Sequence, residues 1–119
     1  PINPLILDGQ THGGIVQGVG QALRERMVFE AGTGQLLTGS FMDYALTRAD
    51  DVPSFATTLV EDPTYGNPLR VKGGGEGGIV PATAAVMNAV CDALGARDVE
   101  MPATPERVWR HLVSARRTG

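Results

Sequence analysis

The run Val71-Lys72-Gly73-Gly74-Gly75-Glu76-Gly77-Gly78 sets one carboxylate among glycines, directly ahead of an alanine-rich stretch that reaches Leu94. Glycine loses more backbone freedom on ordering than any other residue, so such a run reads as a loop in which other atoms closely approach the backbone. Pro81 suits the first turn of a helix, where its missing N–H costs nothing. Ala82 to Leu94 holds only Asn88 and Asp92 as strongly polar members and stops at Gly95, so the spacing predicts an apolar helix, buried on most sides and closed by a glycine cap. A second cluster, Gly9-Gln10-Thr11-His12-Gly13-Gly14, precedes Ile15, Val19, Leu23 and Met27 at i+4 intervals, with Arg24, Glu25 and Arg26 on the other side. This predicts an amphipathic helix with a glycine-rich approach.

Between them the pattern favours short antiparallel strands. Val28 to Glu30 and Gln35 to Leu37 flank Gly32-Thr33-Gly34 as a hairpin, and threonine- and valine-rich Phe55 to Glu61 reads as a further strand. Thr38 to Leu46 reads as an ordered loop. A last short helix opens at Thr104-Pro105-Glu106, with Thr104 as cap and Val108, Trp109 and Leu112 turned inward. The expected fold class is therefore α+β, in one domain over residues 1–119. With 42% apolar and 19% charged residues the chain can build a core, although several apolar faces would need a neighbouring domain.

Other features exclude function classes. The net charge is −3 and basic residues cluster only at Arg116-Arg117, so no stripe suits nucleic acid. No apolar run approaches the roughly 20 residues of a membrane span, and no signal peptide is visible, which points to a soluble, cytoplasmic protein. Cys91 is the only cysteine, and His12 and His111 are the only histidines, which leaves no ligand set for zinc or an iron–sulfur cluster. The chain opens within the apolar stretch Pro4-Leu5-Ile6-Leu7 without an initiator methionine, and reads as a fragment of a larger domain.

Glycine-rich approaches to helices gather unpaired N–H groups in front of a positive dipole end. A phosphate-loop signature is missing, because Lys72 precedes the glycines. Gly73, Gly75 and Gly78 meet the dinucleotide spacing only because glycine is everywhere in the run. A glycine-loop nucleotide- or phosphate-binding module without redox activity remains the alternative reading, and a purely structural domain a third. The sharper candidate is Glu76. A glutamate in low-dielectric surroundings is tuned to accept a proton near neutral pH, whereas in a solvated loop or helix start it has no catalytic meaning.

The Val71–Gly78 run and the stretch Ile79 to Gly95 resemble the Lys-Gly-x-Gly-Glu segment and alanine-rich helix of the xanthine dehydrogenase, aldehyde oxidase and carbon monoxide dehydrogenase superfamily of molybdenum hydroxylases. Gln10 to Gly20 is similar to the family's Gln-x-x-Gly-x-x-x-Gln-Gly segment, and Pro102 to Trp109 to the end of its large chains. The match runs in order along nearly the whole chain and lies nearest the bacterial carbon monoxide dehydrogenase large chains. His12 departs from branches that carry an acidic residue there, the xanthine branch among them.

The resemblance implies that this is the C-terminal part of a large subunit whose cofactor is molybdenum on a pterin, in bacterial members often the cytosine dinucleotide. It implies that Glu76 is the catalytic base, taking the proton of a metal-bound hydroxyl group that attacks a substrate carbon while hydride moves to a sulfido ligand. Gln10 would lie against the pterin, Gly13 and Gly14 would offer backbone N–H groups, Lys72 would neutralise a phosphate or fix the loop, and Gly73 and Gly75 would complete the cofactor wall. No residue here would ligate the metal. The rest of the large subunit and iron–sulfur and FAD domains or subunits are the implied partners. A small molecule is the implied substrate, and the isolated segment is expected to be inactive.

Overall fold

The computed structural model describes residues 1–117, with three α-helices: α1 (Pro4–Leu23), α2 (Ile79–Leu94) and α3 (Pro105–Arg117). A short 3-10 turn covers Ala49–Asp51. Among the described residues no strand forms, which corrects the α+β expectation. At the expected hairpin only an isolated antiparallel bridge joins Phe29 and Leu36. Leu37 N donates to Val28 O at 2.8 Å, Glu30 N donates to Gln35 O at 2.8 Å, and Gly34 turns the chain at φ 72°. A two-stranded ribbon is marginal without an apolar face to lie on, and here Phe29 and Leu37 are both more than half exposed. Phe55 to Glu61 is likewise no strand, since no second strand lies beside it to complete a ladder.

The first helix begins and ends earlier than its apolar period predicts. Asn3 caps it, its side chain accepting from Ile6 N at 3.1 Å, and Pro4 occupies the first turn. The helix therefore runs through Gly9, Gly13 and Gly14 instead of starting after them, and Met27 lies outside it. Each interior glycine costs about 1 kcal/mol of helix propensity relative to alanine. Packing against α2 offsets this.

The contact is built on small residues. Gly14, Gly18 and Ala22 recur at i+4 on α1, and Gly14 and Gly18 meet Gly78 and Ala82 of the α2 segment. A Cβ built on Gly14 would stand 2.8 Å from Ile79 N, and one on Gly18 would stand 2.6 Å from Ala82 Cβ. Backbones thus approach more closely than side chains would allow. Thr83 Oγ1 donates to Gly18 O at 3.4 Å across the same seam.

Helix α2 ends as its sequence indicates. Gly95 is left-handed at φ 61°, its N–H bonding Asp92 O at 3.1 Å, while Ala96 N reaches Cys91 O at 2.9 Å. Helix α3 starts at Pro105 as expected. Its approach is tied to α1 by Ala103 N donating 2.7 Å to Ala22 O, one of the carbonyls left free at the end of α1. The loop after Ser40 is pinned to the same end of α1. Tyr44 OH donates to Glu25 at 2.8 Å, and Arg24 pairs with Asp51, which also accepts from Arg48 N at 2.8 Å.

Burial falls well short of the expected core. Among the described residues only Ala22, Ala82 and Ala103 of the apolar set are buried, while Leu5, Val80 and Trp109 stand 82%, 75% and 61% exposed. The inward faces expected for α2 and for Trp109 and Leu112 of α3 are thus open in this chain. A radius of gyration of 18.5 Å, against about 13.5 Å for a compact chain of this length, has the same cause. These helices present apolar surface outward instead of enclosing it.

Candidate functional site

Helix α1 brings Leu7 and Gln10, three residues apart on one face, against the glycine loop that leads into α2. A Cβ on Gly74 would lie 2.8 Å from Leu7 Cδ1, and one on Gly75 would lie 3.8 Å from Gln10 Nε2. Between them opens a groove of about 870 Å3. Asn3, Ile6, Leu7 and Gln10 form one wall, and Thr58–Asp62 and Leu69–Gly75 form the other. Gln10, Lys72, Gly73 and Gly75, which lie 62 or more residues apart across the two motifs, thus share one cavity. A Cβ on Gly73 would meet nothing within 4 Å, so its backbone is open to a bound group.

Glu76 follows Gly75, the last lining residue. Its carbonyl accepts from Val80 N at 3.2 Å, so Glu76 stands at the start of the α2 ladder, where unpaired N–H groups collect. The side chain is exposed. This chain therefore does not supply the low-dielectric surroundings expected from sequence.

The remaining candidates are placed elsewhere. Gly13 and Gly14 lie within α1, where Gly14 packs against Gly78 and Ile79, so the first glycine cluster presents no helix N-terminus. Gln17 is exposed. The Lys72 ammonium pairs with Asp62 across the mouth of the groove. His12 faces the other way: its ring meets Phe55 at 5.5 Å and 53°, and its Nε2 lies 3.5 Å from Asp8 Oδ1 without hydrogen-bond geometry. Asp8 also accepts from Thr57 Oγ1, which fastens the segment before Thr58 to α1.

Sequence reasoning missed two contributors to this wall. Thr58–Asp62 lines one edge of the groove, and Arg70 stands at its rim in a left-handed conformation. Asn67, which brackets Val71 through both amide atoms, was the available signal of a tight turn. The groove can hold a flat, polar group between an amide, open glycine backbone and two cations, with Glu76 one residue beyond it.

The chain is similar to known proteins along nearly its whole length. Residues 1–53 match the family model described as the molybdopterin cofactor-binding domain. The nicotine 6-hydroxylase large subunit of Paenarthrobacter nicotinovorans is 46% identical over 112 residues, 92% of this chain and 14% of that protein. The carbon monoxide dehydrogenase large chain of Hydrogenophaga pseudoflava is 38% identical over 115 residues, 93% of this chain and 14% of that protein. Among solved structures, quinoline 2-oxidoreductase from Pseudomonas putida 86 superposes with a TM-score of 0.85 at 41% identity, covering 94% of this chain and 14% of that chain. The chain thus spans 14% of the length of each of these relatives.

Proposed function

Because the chain belongs to the molybdenum hydroxylase large-subunit family, we propose that it forms one wall of the molybdenum–pterin site and supplies its catalytic base, Glu76. The observation that carries this reading is the groove itself, which joins Gln10 of the first motif to Lys72, Gly73 and Gly75 of the second, next to Glu76. The residues suit the group. Gln10 offers both a donor and an acceptor, as a pterin edge requires, and Gly73 and Gly75 leave room for a flat ring system against the backbone. When bound, the molybdenum centre supplies the oxygen nucleophile and takes up the electron pair from the substrate.

What this chain does is narrower. Gln10 orients the pterin edge, the glycine loop admits it, and Lys72, held by Asp62, fixes the loop. A carboxylate oxygen of Glu76 accepts the proton released as the nucleophile attacks, and returns it to product or solvent afterwards. Gly14 holds the site indirectly by keeping α1 and α2 in close contact. The water exclusion that strengthens such a base comes from surfaces beyond these residues, consistent with the exposed apolar faces of α1 and α2.

Residues 1–119 in this reading are one module of a larger cofactor domain, inactive alone, with iron–sulfur and FAD sites on other domains or subunits receiving the electrons. The cofactor form is the cytosine dinucleotide, the protein is cytoplasmic, and no helix among the described residues is long and apolar enough to cross a membrane. The names of the relatives, nicotine 6-hydroxylase and quinoline 2-oxidoreductase, favour an N-heterocycle as substrate. Metal and nucleotide analysis of the full-length protein tests the reading. One molybdenum and one cytidine nucleotide per large subunit are expected, and their absence after expression in a molybdenum-competent host would refute it.

A further inference from the structure

Arg70 is the one non-glycine residue with positive φ among the described residues, at 59°. An L-residue pays for that conformation and glycine does not, so an arginine here invites a reason that lies in its side chain. The backbone is tightly held. Arg70 N donates to Asn67 O at 3.0 Å, and Arg70 O accepts from Thr64 N at 3.2 Å. The side chain is also placed, its guanidinium carbon standing 4.6 Å above the ring of Tyr65, itself 90% exposed.

The charges around the groove are otherwise spent. Lys72 and Asp62 neutralise one another, and Glu61 is engaged by the amino group of Pro1 at 2.8 Å. Arg70 alone lines the groove as a cation with no carboxylate partner among the described residues. We propose that Arg70 is the phosphate-binding arm of this groove. Its guanidinium, presented by the left-handed turn and steadied on Tyr65, receives a phosphate of the cofactor whose pterin edge meets Gln10. This rests on the reading of the groove as a molybdenum–pterin site. It transfers to Arg70 the anion-binding role that the sequence suggested for Lys72, because a planar fork with free donors fits a phosphate better than an ammonium already paired.

The test uses the full-length holoprotein and two variants. R70G removes both charge and backbone strain, whereas R70Q removes the charge and leaves the backbone demand in place. Molybdenum and acid-released cytidine nucleotide are counted after desalting at low and at high salt. Both variants are expected to lose cofactor about tenfold faster than wild type at low salt, with the difference shrinking as salt rises, while R70G melts no lower than wild type. Cofactor retention equal to wild type in either variant overturns the assignment. A wild-type protein without molybdenum or nucleotide overturns the proposed function, and this inference with it. Loss from the variants but not from wild type supports both.

Discussion

Gly18→Ala probes the seam on which the site depends. The added Cβ would stand 2.6 Å from Ala82 Cβ, 3.1 Å from Thr83 N and 3.3 Å from Thr83 Oγ1. Carbon atoms rest about 3.5–4.0 Å apart, so α1 and α2 must separate by about 1 Å. Neither the alanine methyl nor the backbone amide has a rotamer that could move aside. Overpacking of this kind costs about 1–3 kcal/mol, and removing an interior glycine returns about 1 kcal/mol of helix propensity. The net expectation is a loss of up to about 2 kcal/mol. Gly13→Ala is the internal control, since its Cβ meets nothing within 4 Å and only the propensity gain remains. Urea denaturation of the full-length protein should move the two midpoints in opposite directions, with G18A below wild type and G13A at or above it. Separation of the helices should also carry Gln10 away from Gly75 and lower cofactor content in G18A. If G18A is as stable as G13A, the close helix contact described here is wrong.

Three further outcomes are expected. Gln10→Ala should reduce molybdenum–pterin occupancy of the holoprotein by about tenfold without altering thermal unfolding of the apoprotein, because Gln10 lines the groove and is exposed. Equal occupancy would remove Gln10 from the pterin wall. The Asp51 carboxyl is held below its ordinary value, first by the hydrogen bond from Arg24 and then by the backbone of Arg48. A depressed carboxyl contributes stability that is present above the unfolded value of about 3.9 and is lost as pH falls through the folded value. Asp51→Asn should therefore be less stable than wild type at pH 6, and the gap should close below about pH 3.9. A gap that is constant with pH would show that the pair contributes nothing. Thr57→Val removes the bond to Asp8 and should speed hydrogen exchange in residues 55–61, loosening one wall of the groove; unchanged exchange would show that other contacts fix that wall.

Local chemistry made α2, its Gly95 cap and the Pro105 start of α3 legible, because each is set by residues adjacent in sequence. The Gln10 and Glu76 motifs were equally visible. The glycines of α1 misled because their propensity argues against helix, whereas Asn3-Pro4 starts the helix early and α2 needs Gly14 and Gly18 small. Period-2 patterning at Phe55 to Glu61 described a segment suited to a sheet, but a strand needs a partner, and the chain folds that segment as a groove edge. The inward turn assigned to Trp109 failed for a related reason: amphipathicity identifies which face seeks cover and says nothing of which surface provides it. Arg70 was invisible because a left-handed arginine has no sequence signature of its own.

The central claim is that Glu76 is the base. Steady-state turnover of full-length Glu76→Gln, normalised to its molybdenum content, tests it most directly. The substitution keeps size and polarity and removes proton-accepting capacity, so cofactor content should match wild type while kcat falls by about 10²–10⁴. Turnover per molybdenum equal to wild type would contradict the account.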